Sequence, residues 1–238
     1  MKLRIALIVV AAGEGSRLPG PKRKVFLSLG GKSVLLHSIA CFRETAGIEQ
    51  TIVALHPSDL AWAQDALKAS FDELGVTDVV SGGATRTQTV RKCLEVVGPD
   101  ANIVIIHDGA RPLASPKVID ACVAQAAEFG GAIAAAPMQP TVKKVDGDGF
   151  IVGTLPREAL WAAHTPQVFR REVLEKAYAR VGEATEQVLF TDDAAAVELS
   201  GERVKVVEGT TANIKITTAA DLIMAEALLE KLNEGEKL

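Results

Sequence analysis

The sequence predicts an α/β fold: a mostly parallel sheet flanked by helices, with a protruding β-hairpin arm. Short apolar stretches rich in β-branched residues alternate with segments of helical period, which is the order of a parallel sheet with helical crossovers. The first apolar stretch, residues 4–12, is continuous, as in strands that are buried on both faces. Residues 138–165 interrupt the alternation with two strand-like pieces around an Asp-Gly-Asp-Gly turn, which indicates the arm.

The elements follow one another without a long linker or an internal repeat. Predicted strands cover 4–12, 50–56, 76–83, 101–112, 131–137 and 203–209. Predicted helices cover 33–44, 59–72, 86–97, 115–130, 170–180 and 192–199, and a final helix follows the NIKITTAAD stretch at 213–221. Capping residues mark several boundaries: Ser33 and Ser115 suit N-caps, Pro116 suits the first helical position, and Gly130 suits a helix end.

The predicted hairpin needs a packing partner, because an isolated two-stranded hairpin is marginally stable in water. We therefore expect residues 138–165 to pack against a second subunit, which makes the protein a homodimer. The rest of the chain, with this arm as a subdomain, is expected to form a single domain over residues 1–238, since the length of 238 residues suits one large domain.

Composition excludes several classes of protein. A hydrophobic content of 48% and a charged content of 24% allow a buried core, and a net charge of −4 argues against nucleic-acid and membrane-surface binding. The apolar stretch near the N-terminus is too short to span a bilayer. Three scattered cysteines without a CxxC spacing do not suggest a disulfide framework. We expect a cytoplasmic protein that binds neither nucleic acid nor membrane.

The first loop, AAGEGSRLPGPKRKVF at residues 11–26, concentrates glycines and cations directly after a buried strand. It is not a dinucleotide-binding G-x-G-x-x-G loop, because Leu18 stands at the third glycine. It is not a Walker A loop (G-x-x-x-x-G-K-S/T) either. The GKS at 31–33 would require a glycine at position 26, where this chain has Phe26. Gly30-Gly31 is more typical of a turn. Glycines let backbone N–H groups approach phosphate oxygens closely. Arg17 and one of the lysines would supply the positive charges that a triphosphate requires, so we predict that this loop binds a triphosphate.

Several segments, taken in order, resemble one group of enzymes. AAGEGSR and KVFLSLGGKSVLLHSI resemble the N-terminal signature of nucleotidyltransferases with a Rossmann-like fold, and among these most closely the 2-C-methyl-D-erythritol 4-phosphate cytidylyltransferases. The resemblance continues over essentially the whole chain through GGATRTQTV, HDGARP, PTVKK, LPREALWAAHTPQVF, TDDAAAVE and VEGTTANIKIT. It implies transfer of CMP from CTP to a sugar-alcohol phosphate in the non-mevalonate isoprenoid pathway, with Mg²⁺ as cofactor.

The implied chemistry needs no activated serine, cysteine or general-base histidine, because the attacking phosphate oxygen is already ionised near neutral pH. The acceptor phosphate and the triphosphate of CTP are both anions, so preorganised cations are needed to bring them together. By the resemblance, Arg17 and Lys24 are the catalytic cations that stabilise the pentavalent α-phosphate. The family normally has proline directly before this lysine, where this chain has Arg23, and an alternative alignment on Pro21 makes Lys22 the competitor. Lys24 is preferred because Phe26 and Leu27 then fall in register.

The resemblance also implies two binding sets. The nucleotide set is Ala11, Ala12, Gly13, Gly15, Ser16, Gly82, Gly83, Arg86, Thr89 and Lys215, of which Gly82 to Thr89 read the cytosine. The acceptor set is Asp108, Arg111, Thr141, Arg157, Thr165 and Lys215, with Asp108 also a Mg²⁺ ligand. In the family the arm carries Thr141 and Arg157 into the partner's site. His107 is expected to be structural, and Asp192-Asp193 suits a helix start with capping acids better than a metal pair.

Other functions stay open at this point. Ribitol-5-phosphate cytidylyltransferases share most of these motifs, whereas sugar-1-phosphate and molybdopterin nucleotidyltransferases carry different loops after the first glycines. A non-catalytic nucleotide sensor would keep the fold, although retention of Arg17, Lys24, Asp108 and Lys215 together argues against it. An NAD-dependent oxidoreductase is disfavoured by Leu18 and by the lack of an acid at the expected ribose-binding place.

Overall fold

The computed structural model describes residues 2–15, 18, 20, 23–183 and 190–235. Its strands, in chain order, are β1 (Ile5–Ala11), β2 (Ser28–Leu29), β3 (Lys32–Ser33), β4 (Ile48–Leu55), β5 (Asp78–Ser81), β6 (Ile103–Asp108), β7 (Gly131–Pro137), β8 (Val142–Val145), β9 (Ile151–Leu155), β10 (Trp161–Arg170) and β11 (Lys205–Glu208). Its α-helices are α1 (Val34–Ala40), α2 (Leu60–Ala66), α3 (Lys68–Glu73), α4 (Arg86–Val96), α5 (Pro116–Phe129), α6 (Arg171–Glu183), α7 (Asp193–Leu199) and α8 (Ala219–Asn233).

A seven-stranded sheet forms the centre, in the order β11-β7-β10-β6-β1-β4-β5. Every neighbouring pair is parallel except the two that involve β10, which runs antiparallel to both β6 and β7. Two apolar clusters cover the two faces of this sheet. The mostly parallel α/β architecture predicted from the sequence is therefore confirmed, and the carboxyl ends of β1, β4, β5 and β6 lie at one edge.

The strand β10 was absent from the sequence-based prediction, which assigned residues 138–165 to the arm and its surroundings. Pro166 lies inside this strand, and a proline argues against a central strand because it cannot donate to the ladder. In the structure the pairing with β7 is interrupted between Ala163 and Gln167. The proline therefore falls where the ladder already breaks, while Gln167 to Phe169 behind it are buried in the sheet.

Most predicted helix boundaries are confirmed within a few residues. The Ser33 hydroxyl accepts a hydrogen bond from the Leu36 N–H at the start of α1, and Gly130 ends α5 with a φ of 95°, in the left-handed region that favours glycine. Ser115 occupies the N-cap position of α5 without a side-chain capping bond. The single helix expected over 59–72 is two shorter helices, α2 and α3, that are separated at Leu67.

The predicted hairpin is present as the antiparallel pair β8–β9, apart from the main sheet. Its apolar side chains are exposed: Phe150 is 72% exposed and Ile151 is 64% exposed, and Val145 and Val152 are also more than half exposed. Such a patch on two adjacent strands is typical of an interaction surface. Across the described parts of the chain, none of the helices combines the length and the apolar composition needed to cross a bilayer.

Candidate active site

The carboxyl ends of the parallel strands open into one cavity of about 750 Å³. In an open α/β sheet this is the edge where ligands bind. The cavity is lined by many residues of the predicted nucleotide set, by the preferred catalytic lysine and by Asp108 of the predicted acceptor set: Ala11, Ala12, Gly13, Lys24, Gly82, Gly83, Arg86, Thr89, Asp108 and Lys215. The structure thus brings together residues from loops that are far apart in the sequence.

The first loop is described only in part. Ser16, Arg17 and Lys22 lie outside the described residues, so the predicted catalytic arginine and the competing lysine have no structural account. Lys24 begins a short 3₁₀ helix, Lys24–Phe26, whose Val25 and Phe26 are buried. Gly15 has a φ of 69° and lies against the Lys24 side chain, whose Cγ would be 3.5 Å from a Cβ at this position. The positive φ favours a glycine at this position, and the lysine stem packs against it.

Gly82 and Gly83 form a tight turn after β5. A Cβ on Gly82 would lie 2.2 Å from the Ala12 Cβ, and one on Gly83 would lie 2.5 Å from the Gln88 Cβ. The Thr89 hydroxyl accepts from the Gly83 N–H at 2.9 Å and donates to the Thr85 carbonyl oxygen at 2.9 Å. Thr89, predicted to offer its hydroxyl to the base, therefore gives its hydroxyl proton to Thr85 and holds this turn with one lone pair, so that a single lone pair remains for a ligand.

Sequence reasoning missed Lys92, whose ammonium donates to the Gly82 carbonyl oxygen at 3.0 Å and which also lines the cavity. Lys92 lies on the cavity side of α4 with Gln88 and Thr89, at the spacing of one helix face. The three- to four-residue spacing of Lys92 from Thr89 and Gln88 is the sequence feature that could have identified Lys92.

Replacement of Gly82 by alanine is expected to raise the KM for the nucleotide about 10-fold or more, because the methyl group would push the turn away from Ala12. Steady-state kinetics with varied nucleotide would measure this. Gly98→Ala is the matched control, since its nearest neighbour, the Gln50 Oε1, would be 3.6 Å from the new Cβ. Equal KM values for the two variants would contradict the steric role of Gly82.

Asp108 lies at the end of β6 in contact with three cations. Its carboxylate is 2.8 Å from the Lys215 ammonium, 3.5 Å from the Arg111 Nε and 3.6 Å from the Arg86 Nε. Burial alone would raise the pKa of this carboxyl, but Lys215, Arg86 and Arg111 together hold the pKa well below its usual range. Asp108 is therefore a permanent anion that holds three cations at the cavity wall.

Arg86 links this cluster to a second acid. One guanidinium nitrogen, Nη2, is 2.7 Å from the Asp193 Oδ2, and Asp193 is fully buried. The Tyr178 hydroxyl donates to the other carboxylate oxygen at 2.6 Å. Burial alone would lower the pKa of Arg86, but Asp193 and Asp108 raise it above its usual value, so Arg86 stays charged.

The two consecutive acids at the start of α7 therefore have different roles. Asp192 is the predicted capping acid, since its carboxylate accepts from the Ala195 N–H at 3.0 Å. Asp193 does not cap, and its charge is used by Arg86. Within the described residues no group of three or more His, Cys, Asp or Glu side chains is arranged to hold a metal ion.

His107 and Thr165 organise the backbone beneath Asp108. The Arg111 carbonyl can only accept, so the His107 Nε2 at 3.0 Å carries the proton and donates to it. The Nδ1 then accepts from the Thr165 hydroxyl at 3.1 Å, and that hydroxyl accepts from the Asp108 N–H at 3.0 Å. His107 is structural, as expected. Thr165, predicted to bind the acceptor, is buried and its hydroxyl proton is used by this chain of bonds.

The stability of the fold should fall as the pH is lowered from 6.5 to 4. Burial lowers the pKa of His107 from 6.5 to about 4, so in this window the unfolded chain binds a proton that the folded chain does not. The free energy of unfolding should then fall by up to ~1.4 kcal/mol per pH unit from this group. Urea unfolding at several pH values would measure the slope. His107→Gln should reduce the slope to the part that His164 contributes, since burial also lowers the pKa of His164 to about 4. A wild-type stability that is equal at pH 7 and pH 5 would contradict the assignment.

A second cavity of about 500 Å³ adjoins the first and shares Lys215 with it. Arg111, Met138, His164 and Asp221 are among its lining residues. The Arg111 Nη1 donates to the Asn213 carbonyl oxygen at 2.7 Å, which orients the side chain. Thr141 and Arg157, predicted to bind the acceptor, are exposed on the arm and line neither cavity of their own chain. Arg157 instead donates to the Gln139 carbonyl oxygen.

Comparisons with known proteins agree on one family. The family model described as 2-C-methyl-D-erythritol 4-phosphate cytidylyltransferase (IspD) matches residues 5–231. Proteins with this name from Pelotomaculum thermopropionicum and Caldanaerobacter subterraneus are 38% and 39% identical to the chain, over 95% and 96% of it and over 94% and 100% of the relatives.

Solved structures agree with these relatives. The 4-diphosphocytidyl-2C-methyl-D-erythritol synthase of Anaerococcus prevotii has a TM-score of 0.82 and 29% identity, over 97% of this chain and 100% of that one. The cytidylyltransferase of Thermus thermophilus has a TM-score of 0.75 and 30% identity, over the same shares of the two chains. With a family model that covers nearly all of the chain and full-length relatives near 40% identity, the chain belongs to the 2-C-methyl-D-erythritol 4-phosphate cytidylyltransferase family.

Proposed function

We propose that this chain transfers CMP from CTP to 2-C-methyl-D-erythritol 4-phosphate, giving 4-diphosphocytidyl-2-C-methyl-D-erythritol and pyrophosphate. The observation that carries the proposal is the cavity at the carboxyl ends of the strands, where Lys24, Arg86 and Lys215 surround a space large enough for a nucleotide. The family match over residues 5–231 supplies the identity of the two substrates.

The reaction needs positioning and charge more than proton transfer. A phosphate oxygen of the acceptor forms a bond to the α-phosphorus of CTP, the bond from that phosphorus to the bridging oxygen breaks, and pyrophosphate leaves with the electron pair. Negative charge accumulates on the oxygens around the α-phosphorus, and preorganised cations stabilise it. We assign this task to Lys24 and to Arg17.

The nucleotide set forms three parts of the proposed CTP site. Backbone groups of Ala11 to Gly15, with Ser16, would bind the triphosphate, and the turn at Gly82 and Gly83, held by Thr89, would read the cytosine edge. Arg86 and Lys215 would form the third part, a cationic wall of the cavity that is held in place by Asp108. Cations fixed at a cavity wall favour an anionic ligand, because they raise the local positive potential.

Mg²⁺ is part of the proposal. The donor set fits a cation that arrives on the triphosphate, because Mg²⁺ is usually bound through one or two carboxylates and substrate phosphates rather than by an all-protein cage. Asp108 would be the protein ligand, and the metal would neutralise charge on the phosphates when bound. Asp108 lines the nucleotide cavity, and its contacts with Arg86 and Lys215 hold its carboxylate there.

The acceptor would occupy the second cavity, where Arg111 and Lys215 offer cations to its phosphate. We propose that Thr141 and Arg157 complete this site from the arm of a second subunit, because both are exposed and line neither cavity of their own chain. The protein would then be one nucleotidyltransferase domain over residues 1–238 that dimerises through residues 138–165. Thr165 would act through the backbone of Asp108. A cytoplasmic location belongs to the same proposal.

Release of pyrophosphate tests the proposed function. The purified protein would be assayed with Mg²⁺ and each of CTP, ATP, GTP and UTP, against methylerythritol phosphate and ribitol 5-phosphate in turn. We expect turnover with CTP and methylerythritol phosphate. Turnover only with ribitol 5-phosphate, or CTP binding with no turnover on either acceptor, would contradict the proposal.

Polar substitution of the arm should separate the subunits and abolish most of the activity. Phe150→Gln with Ile151→Gln removes the two most exposed apolar side chains of the arm, whose burial between subunits would stabilise the dimer. Light scattering would measure the mass in solution, and the same samples would be assayed. Leu199→Gln, on a helix away from the arm and 57% exposed, is the control. A fully active monomer would contradict the shared site.

A further inference from the structure

Arg23 is a cation of the first loop whose own side chain does not line the cavity. Its Nε is 2.6 Å from the Asp59 Oδ2, and its Nη2 is 2.8 Å from the His56 Nδ1 and 3.1 Å from the Ser58 Oγ. A third nitrogen, Nη1, is 3.5 Å from the Glu14 carbonyl oxygen. Because a guanidinium only donates, the His56 Nδ1 is an acceptor here. Arg23 therefore joins its own loop to the turn that follows β4.

Both joined segments contribute residues to the lining of the cavity. β1 and β4 are neighbouring parallel strands, with Ala11 paired to Leu55 at their ends. Glu14 and Lys24 from the first loop, and His56 and Pro57 from the turn, all line the nucleotide cavity. The contacts of Arg23 thus set the distance between two walls of the proposed CTP site.

We propose that Arg23 is a positioning residue of the transfer reaction: its guanidinium ties the first loop to residues 56–59 and so holds the neighbouring Lys24 where the α-phosphate of CTP reacts. The proposal rests on the function proposed above. The lysine follows Arg23 directly and begins the 3₁₀ helix, which a bond from the Phe26 N–H to the Arg23 carbonyl oxygen closes at 2.9 Å. A shift of Arg23 would therefore move the lysine.

A tie of this kind lowers the conformational freedom of the glycine-containing loop. Open space surrounds the Cβ position of Gly13, and glycine-rich backbone loses much conformational entropy when it is ordered. The side chains of Arg23 and Asp59 are only 21% and 20% exposed, so solvent screens their ion pair less than it screens a fully exposed one. A planar guanidinium can reach the carboxylate and the imidazole at once, whereas a lysine ammonium would hold a single point.

The backbone of Arg23 provides a test that separates the side-chain contact from chain stiffness. Its φ is −63° and its ψ is 146°, and a proline adopts this φ without strain. Arg23→Pro would therefore stiffen the chain before Lys24 but remove the tie to residues 56–59. If stiffness alone positions the lysine, this variant should be active. If the guanidinium is needed, it should fail like Arg23→Met.

The experiment compares Arg23→Met, Arg23→Pro, Arg23→Lys and Asp59→Asn with Arg171→Met as the control. Arg171 makes an ion pair of the same length, 2.6 Å to Glu175, with a side chain that is 24% exposed, and it does not line the cavity. Initial rates with CTP and methylerythritol phosphate would give kcat and KM. Hydrogen exchange of the peptides that cover residues 12–26 and 56–60 would report on the loop without any turnover.

We expect kcat to fall about 10–100-fold in Arg23→Met and Arg23→Pro, since a misplacement of about 1 Å has effects of this size. The KM for CTP should change less than about 3-fold, and Arg23→Lys and Asp59→Asn should lie in between. Exchange should rise in both peptides of these variants and in neither peptide of Arg171→Met. Full activity of Arg23→Pro, or unchanged exchange in Arg23→Met, would overturn the proposal. A wild-type protein without turnover would overturn the proposed function alone, because the exchange data still test the tie.

Discussion

Replacement of Lys24 by alanine is expected to lower kcat by about 10²–10³-fold, which is the usual effect of removing one preorganised group that stabilises transition-state charge. The lysine lines the nucleotide cavity, its stem lies along Gly15, and the helical turn that it begins is anchored by the buried Val25 and Phe26. Its ammonium is thus carried on a fixed piece of backbone at the edge where the triphosphate would bind. The alanine variant should keep its fold, since the buried neighbours are unchanged.

Two comparisons make the Lys24 experiment specific. Lys22→Ala should change kcat less than about 3-fold if Lys24 is the catalytic lysine, and the reverse order of the two effects would contradict our alignment. Lys68→Ala is the control for the loss of a positive charge, because Lys68 pairs with Asp72 on an exposed helix face and should leave kcat unchanged. Pre-steady-state measurement of pyrophosphate formation would show whether the chemical step itself is slowed. Arg17→Ala should behave as Lys24→Ala does.

The parts of the fold that could be predicted from the sequence are those with a local cause. β1 is recognisable as a strand because its seven consecutive residues are apolar, and six of them are buried by layers on both faces. Ser33 starts α1 with a hydroxyl that is three residues from its partner, and Gly130 ends α5 because it adopts a positive φ. In each case the element or its boundary is indicated by residues that are close together in the sequence.

The parts that could not be predicted depend on contacts between distant residues. Pro166 made β10 unrecognisable in the sequence, because the sheet accommodates this proline only through the irregular pairing between β10 and β7. The partner of Arg23 is Asp59, and the two ends of the resulting tie belong to different strand ends. Neither the hydrophobic period nor the residue types indicate that Arg23 and Asp59 form a pair. The site residues themselves were found through family motifs, whereas the use of the Thr89 and Thr165 hydroxyls by the protein required coordinates.

Asp193 is the most consequential of these distant contacts, because its carboxylate is fully buried against Arg86 and Tyr178. Replacement by asparagine would keep the shape and an acceptor for the Tyr178 hydroxyl, but would leave the Arg86 guanidinium with only the longer contact to Asp108 at 3.6 Å. Removing one partner of a buried ion pair usually costs about 3–5 kcal/mol. We expect Asp193→Asn to lower the free energy of unfolding by about this amount, measured by urea unfolding at pH 7.

Asp72→Asn is the matched control for Asp193→Asn, because it makes the same change at a carboxylate that is 63% exposed and pairs with Lys68 on an exposed helix face, where an ion pair contributes little. Its free energy of unfolding should stay within about 1 kcal/mol of the wild-type value. The double variant Arg86→Met with Asp193→Asn removes both charges, so much of the lost stability should return. Its activity should not return, because Arg86 also lines the nucleotide cavity. Equal stabilities for Asp72→Asn and Asp193→Asn would show that the buried ion pair contributes nothing to the fold. Recovery of activity in the double variant would show that Arg86 serves the structure and not the nucleotide.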